Sequence, residues 1–232
     1  MRFLLLFLGV LILGKAQAGL RDAGFDARPG AALPLNVELH EGKRAVRLDR
    51  FFGGAPVVIQ LGYFGCVNLC STTFVGTSEA LSRTGLVAGR DYVGLFISID
   101  PRDEHAPPYE REGWHILTGA QSAAAVARAV GFRYAFEESS GEFAHPAGFV
   151  VATPEGEVSG YFGGVRFDPV ELRAALLAAA HDRRPGALEQ VLLVCFHDPL
   201  NGRYNEFVLS ALRAAGIAFL AAAGWLAWRR LR

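Results

Sequence analysis

The sequence lacks the features that mark several common functional classes. Acidic and basic residues balance at 23 each in 232 residues, and no basic stripe runs along the chain. Nucleic acid is therefore not an expected partner. The chain also has no internal repeats, no nucleotide-binding loop, and no pattern typical of a hydrolase triad or of paired catalytic carboxylates. Cysteine is scarce, with three residues, and two of these lie close together.

Cys66 and Cys70 form a C-x-x-x-C pair directly after an apolar run at residues 56–64 (PVVIQLGYF). If a helix starts here, a spacing of four places both sulfurs on one helix face. The N–H groups and the macrodipole at a helix N-terminus favour thiolate over thiol. Two soft thiolates suit Cu(I), Zn(II) or a reversible disulfide. The spacing predicts a metal site or a redox pair and does not choose between them.

The N-terminal end resembles an export signal. Residues 3–14 form an apolar stretch that is too short to span a bilayer, and an A-x-A signature follows at residues 16–18. Together they predict a secretory signal peptide, with an uncleaved N-terminal anchor as the alternative. The thiols of an exported domain face an oxidising compartment.

The C-terminal end predicts a transmembrane helix. Residues 208–228 contain one charge, Arg213, and would span roughly 31 Å as a helix, close to the hydrocarbon thickness. Arginines follow this segment, and positive residues stay cytoplasmic, so the main domain is expected outside the cytoplasm. The predicted organisation is a signal peptide at residues 1–18, a thioredoxin-like domain at 19–185, a juxtamembrane segment at 186–207, the transmembrane helix at 208–228 and a cytoplasmic tail at 229–232.

The middle of the chain alternates predicted strands and helices. Its order is a hairpin at residues 35–49, a buried strand at 56–64, a helix at 70–84, a buried strand at 91–99, an exposed charged loop at 101–113, a helix at 120–130, a short strand at 132–136, a hairpin at 148–162 and a helix at 169–180 capped by Asp168. Such alternation predicts an α/β fold, with a mixed sheet flanked by helices and an antiparallel edge. This is a thioredoxin-like pattern with an added N-terminal hairpin.

A third ligand would favour metal over redox chemistry, and six histidines are available. His40, His105 and His181 lie in polar segments and are expected at the surface, whereas His115 lies in an apolar, strand-like run and is expected to be a satisfied core residue. His145 directly precedes a strand expected beside the central one. In thioredoxin-like folds the loop entering this strand lies against the cysteine turn, commonly with a cis-proline, and Pro146 follows His145. His145 is therefore the histidine best placed to reach the cysteines.

Taken together, these motifs resemble the Sco/SenC family. The resemblance rests on the strand ending in Tyr63-Phe64-Gly65-Cys66, the C-x-x-x-C pair, Ile99-Asp100-Pro101, and the late histidine before a strand and a T-P-E-G turn. It covers residues 33–180. The juxtamembrane Cys195-Phe196-His197-Asp198-Pro199, followed by an anchor, is similar to a bacterial branch of the family.

The resemblance implies a membrane-anchored copper protein that helps to assemble the binuclear copper site of cytochrome c oxidase. It implies Cys66, Cys70 and His145 as ligands of Cu(I) or Cu(II), and the copper-accepting oxidase subunit as partner. It also implies a location at the bacterial inner membrane, with the main domain on the extracytoplasmic side. The copper donor, or a thiol reductant, is not identified. Asp100 is a candidate to tune the site from its surroundings.

Other interpretations of the cysteines stay open. As a thiol–disulfide oxidoreductase, the chain would use Cys66 as the attacking thiolate and Cys70 as its partner. The pair could also be a small structural disulfide, although so short a loop gains little stability. Cys195 and His197 could form a second soft site near the membrane, or Cys195 could be a buried small hydrophobic residue.

Overall fold

The computed structural model describes residues 23–65, 69–103 and 113–181, together with residues 213–217 and 225, and gives the backbone alone for Leu69 and Cys70. Contacts divide the chain into two units, Met1–His197 and Asp198–Arg232, and the architecture below is that of the first. In the second unit, residues 213–217 and Trp225 are helical.

Within the described residues, no helix has the length and apolar character needed to cross a bilayer. The predicted signal peptide, the juxtamembrane segment, the cytoplasmic tail and most of the predicted transmembrane helix lie outside those residues.

The first unit is a mixed α/β structure. Its described strands are β1 (Gly24–Phe25), β2 (Glu38–Glu41), β3 (Arg44–Arg47), β4 (Val57–Gly62), β5 (Val93–Ser98), β6 (Trp114–Leu117), β7 (Phe132–Arg133), β8 (Ala135–Glu137), β9 (Glu142–Ala144), β10 (Gly148–Ala152) and β11 (Val158–Gly163). Its described helices are α1 (Leu69–Ser82), α2 (Ala120–Ala129) and α3 (Pro169–Ala180), and a 3₁₀ turn spans Leu48–Phe51.

The central sheet has five strands in the order β11-β10-β4-β5-β6. Strands β4, β5 and β6 are parallel, β10 is antiparallel to β4, and β11 is antiparallel to β10. Parallel neighbours need a long crossover, which α1 supplies between β4 and β5. The carboxyl ends of β4, β5 and β6 therefore meet at one edge, and the segment that carries the cysteines leaves the sheet there.

Both faces of the sheet are covered, which explains why β4 is fully buried and is apolar at every position except Gln60. One face carries Ile59 and Leu61 and packs with Val126 of α2. The opposite face carries Val58 and packs with Leu172 of α3. Alternate side chains of a strand point to opposite faces, so a single strand contributes to both cores.

The predicted elements agree well with the observed ones. The N-terminal hairpin (β2–β3), the strand and helix that flank the cysteine pair, the β10–β11 hairpin and the last helix are all confirmed. Asp168 caps α3 as predicted, since its Oδ1 accepts a hydrogen bond of 2.8 Å from the Val170 amide. Strand β6 was indicated only by the strand-like run around His115, and the short strand predicted at residues 132–136 is divided between β7 and β8. The pairing of β8 with β9 was not predicted. The hairpin β2–β3 reaches β6 through paired backbone hydrogen bonds between His40 and Thr118, both 2.9 Å, and so covers part of that sheet edge.

Gly76 lies in the middle of α1, and its packing decides whether an alanine there would stabilise or destabilise the protein. Replacing a helix-interior glycine by alanine normally stabilises a protein by about 1 kcal/mol. Here the new methyl group would overlap the backbone carbonyl oxygen of Val165, which cannot rotate away. We expect Gly76→Ala to lower the free energy of unfolding by about 1–3 kcal/mol, as overpacking does. Urea denaturation would measure this, with Glu79→Ala on the exposed face of α1 as the control. A stabilised Gly76→Ala protein would contradict the close approach of the two segments.

Candidate metal centre

The cysteine pair lies where the central strand passes into the first helix. Strand β4 ends at Gly62, and α1 begins at Leu69, so the backbone of Cys70 lies in the first turn of α1. Cys66 and the side chain of Cys70 lie outside the described residues. The first turn of a helix has amide groups without intrahelical partners, and together with the macrodipole they stabilise a nearby anion. The chain position of Cys70 therefore favours its thiolate form.

The strand end that leads to Cys66 is held by a carboxylate. Asp103 Oδ2 accepts a hydrogen bond of 2.9 Å from the amide of Phe64, two residues before Cys66. The same oxygen accepts a hydrogen bond of 2.6 Å from Ser98 Oγ at the end of β5. Charge-assisted hydrogen bonds of this kind are stronger than neutral ones. The entrance to the cysteine turn is thus fixed to the neighbouring parallel strand.

His145 lies at the same end of the sheet, in the short link between β9 and β10. Its half-buried ring packs edge-on against Tyr63, with ring centroids 5.8 Å apart, and stacks on Phe132 with centroids 5.9 Å apart. Tyr63 follows β4 directly and precedes Cys66 by three residues. The fold therefore brings His145 against the end of the strand segment that leads to the cysteine pair.

The hydrogen bonding of His145 defines its tautomer. Nδ1 lies 2.9 Å from the carbonyl oxygen of Pro146. A carbonyl oxygen accepts and never donates, so in this hydrogen bond Nδ1 carries the proton and the lone pair of the neutral ring is on Nε2. Histidine ligands of metals typically donate their other ring N–H to such a carbonyl, which fixes the orientation of the ring. The peptide bond before Pro146 is trans, because no cis peptide bond occurs among the described residues. In this respect the loop differs from the cis-proline that is common at this position of thioredoxin-like folds.

Asp100 follows β5 and is almost fully buried, with 3% of its side chain exposed. Arg102 donates to it through the backbone N (2.8 Å), Nε (2.9 Å) and Nη2 (2.6 Å). Burial alone would raise the pKa of Asp100, but the hydrogen bonds from the side chain and backbone of Arg102 outweigh this effect and lower it. Asp100 is therefore ionised at neutral pH. Asp100 thus holds Arg102 in place, and its role in tuning the site stays a prediction.

The other histidines with described positions lie elsewhere. His115 is in the outer strand β6 with 41% of its side chain exposed, and its Nδ1 lies 2.6 Å from Glu41 Oε1. The prediction that it is a core residue is wrong, because β6 is an edge strand that the N-terminal hairpin covers only in part. His40 and His181 are exposed, as predicted. His105, Cys195 and His197 lie outside the described residues.

Within the described part of the chain, no group of three or more His, Cys, Asp or Glu side chains could hold a metal ion. His145 belongs to this described part, whereas the thiols of Cys66 and Cys70 do not. Of the three predicted ligands, Cys66, Cys70 and His145, the structure describes the side chain of His145 and the backbone of Cys70.

Sequence reasoning missed Arg102 and Asp103, which it treated as part of an exposed charged loop. One sequence signal could have found them. They directly follow a buried strand that was predicted to be parallel to the strand ending at Cys66. The carboxyl ends of neighbouring parallel strands lie together, and this is where functional groups collect in α/β folds.

The fold is shared with several solved structures. An Aquifex aeolicus VF5 protein with a suggested role in electron transfer has 18% sequence identity and a TM-score of 0.57, over 69% of this chain and 98% of its own. Arabidopsis thaliana ScoI, solved with copper bound, has 20% identity and a TM-score of 0.53, over 66% and 99% of the two chains. BsSco, a member of the Sco family of cytochrome c oxidase assembly proteins, has 15% identity and a TM-score of 0.51, over 67% and 98%.

At these identities the structural matches establish the thioredoxin-like fold, and the family assignment rests on sequence. No curated protein matches the chain. The SCO1/SenC family model matches residues 38–181, which include the cysteine pair, the Asp100–Asp103 segment and His145. The chain therefore belongs to the SCO1/SenC family.

Proposed function

We propose that this protein is a copper metallochaperone that binds a copper ion through Cys66, Cys70 and His145 and passes it to a target protein. The observation that carries the proposal is the placement of His145, whose ring lies against Tyr63 and whose Nδ1 is engaged by the Pro146 carbonyl. An imidazole oriented in this way presents Nε2 as a metal ligand. Membership of the SCO1/SenC family and the copper bound to Arabidopsis ScoI support the same proposal.

The donor set suits copper as a cargo. Soft thiolates select Cu(I), and the imidazole nitrogen adds affinity for Cu(II), which heads the divalent affinity series. Three protein ligands leave room for a ligand from an acceptor. Copper can then move by stepwise ligand exchange, in which each new bond forms before an old one breaks, so that the ion is never free.

The proposed acceptor is the copper-accepting subunit of cytochrome c oxidase, because BsSco belongs to a family of assembly proteins for that enzyme. We further propose that residues 1–18 direct export and that residues 208–228 anchor the chain in the bacterial inner membrane, with the domain on the extracytoplasmic side. This location rests on the amino-acid pattern alone.

A second candidate function is thiol–disulfide exchange on an exported protein. The position of Cys70 in the first turn of α1 favours a reactive thiolate, and a disulfide switch has been identified in BsSco. In this reaction the thiolate of Cys66 would attack a target disulfide, and Cys70 would resolve the mixed disulfide. The target would gain two electrons and two protons, and Cys66–Cys70 would become a disulfide.

A transfer experiment distinguishes the two functions. The copper-loaded protein is mixed with the metal-free, reduced copper domain of the oxidase subunit, and the absorption of the binuclear copper centre is followed. We expect the centre to form at the expense of copper on the chaperone. If copper stays on the chaperone while the metal-free chaperone reduces an oxidised acceptor, the second function is correct and copper delivery is wrong.

A further inference from the structure

A short turn at the carboxyl end of β5 connects the two sides of the proposed copper site. We call residues Asp100–Asp103 the Asp-Pro turn. Its two ends are joined by a backbone hydrogen bond of 3.1 Å from the Asp103 amide to the Asp100 carbonyl oxygen. Its side chains reach two separate segments, one leading to Cys66 and the other to His145.

The contact on the cysteine side is made by Asp103. Its Oδ2 binds both the Phe64 amide and Ser98 Oγ, as described above. Because Phe64 precedes Cys66 by two residues, this carboxylate determines the point at which the backbone leaves the sheet toward the cysteine pair.

The contact on the histidine side is made by Arg102. Its Nη1 donates a hydrogen bond of 3.1 Å to the carbonyl oxygen of Gly141, in the turn of the β8–β9 hairpin. The guanidinium group also lies over the rings of Phe136 and Phe143, at 5.7 and 5.9 Å. Strand β9 continues directly into His145, and Phe143 packs edge-on against Tyr63 at 5.7 Å. Arg102 therefore holds the hairpin that delivers the histidine.

Arg102 is suited to this task because its position is determined by Asp100. The buried carboxylate accepts from Nε and Nη2 together, which orients the planar guanidinium and directs Nη1 toward Gly141. A lysine carries the same charge but has a single donor group and cannot make both contacts in this geometry.

We infer that Arg102 and Asp103 are positioning residues for copper, Arg102 acting through His145 and Asp103 acting through the segment before Cys66. This inference rests on the proposed copper-binding function. The two residues have different expected effects, because the imidazole adds mainly to Cu(II) affinity whereas the thiolates dominate Cu(I) affinity.

The test uses the purified full chain with reduced cysteines, loaded with Cu(I) or Cu(II) in competition with chromophoric chelators. We expect Arg102→Lys to weaken Cu(II) binding by about 10- to 100-fold, the usual effect of losing a partner that orients a ligand. Cu(I) binding should change far less. Arg90→Lys is the matched control, because Arg90 forms a similar two-point contact with Asp91, through Nε at 3.0 Å and Nη2 at 2.9 Å, in the loop before β5. The control should leave both affinities unchanged.

A double-mutant cycle separates positioning from a general structural effect. If Arg102 acts through the histidine, Arg102→Lys should cause no further loss of Cu(II) affinity in a His145→Ala background. An equal loss of Cu(II) affinity in both backgrounds would overturn the inference. So would an Arg102→Lys protein that binds Cu(II) as tightly as the parent. The free energy of unfolding of each copper-free variant is measured alongside.

Asp103 provides an independent arm of the test. Asp103→Ala should weaken both Cu(I) and Cu(II) binding, whereas Asp103→Asn keeps an oxygen that can accept from the Phe64 amide and should restore most of the affinity. Failure of the asparagine variant to restore binding, or full affinity of the alanine variant, would contradict the role of Asp103. A parent chain that binds no copper would overturn the proposed function together with this inference. A parent that binds copper with unaffected Arg102 and Asp103 variants would overturn this inference alone.

Discussion

Replacing either Cys66 or Cys70 by serine is expected to reduce the copper retained after gel filtration from about one ion per chain to none, because a serine hydroxyl is a hard, protonated group at neutral pH and cannot replace a soft thiolate. This is the largest functional effect that we predict. Elemental analysis of the purified full chain, reduced and loaded with Cu(I), would measure it. Both substitutions should have the same result, since the remaining thiolate and imidazole leave too few soft ligands.

Cys195→Ser is the matched control for the thiol substitutions. Cys195 is the third cysteine of the chain and is not part of the proposed copper site. Its substitution should leave copper binding intact. If Cys195→Ser removed copper while Cys66→Ser did not, the ion would be bound near the end of the domain, and the proposed ligand set would be wrong.

The largest predicted effect on stability is at Gly148, the first residue of β10. Its φ angle of 140° is one that other residues rarely adopt, and a Cβ atom there would overlap the carbonyl oxygen of Phe162 in the paired strand β11. Backbone strain and overpacking each cost about 1–3 kcal/mol, so Gly148→Ala should lower the free energy of unfolding by about 4 kcal/mol. Urea denaturation of the copper-free protein would measure this loss.

Two neighbouring glycines separate the contributions of strain and overlap. Gly164 also has a positive φ, 104°, but a Cβ there meets no atom within 4 Å, so Gly164→Ala should show the strain alone. Gly160 has open space and no unusual φ, and Gly160→Ala should be close to neutral. Equal losses for Gly148→Ala and Gly164→Ala would show that the overlap with Phe162 contributes nothing.

The elements that could be predicted from the sequence are those marked by a long hydrophobic run or by a complete helix-capping signal. Residues 56–64 are apolar except for Gln60, and they contain β4, which is covered on both faces. Asp168 caps α3 and Pro169 occupies its first position, and both residues can be recognised from the sequence alone. His145 could be related to the cysteines because the order of strands places the loop before β10 next to the end of β4.

The elements that escaped prediction depend on contacts between distant segments. Strand β6 has four residues, two of them half-buried, and it is recognisable mainly through its pairing with β5. The Asp-Pro turn is rich in charge and resembles an exposed loop, yet Asp100 is buried because Arg102 neutralises it, and Asp103 is engaged because the ends of β4 and β5 meet. Local composition carries no information on these partners.

X-ray absorption spectroscopy of the copper-loaded full chain, beside its His145→Ala variant, tests the ligand set most directly. We predict two sulfur ligands and one imidazole nitrogen in the parent, and two sulfur ligands with no imidazole signal in the variant. An imidazole that persists in the His145→Ala protein, or a parent site without sulfur, would contradict the assignment of Cys66, Cys70 and His145 as the copper ligands.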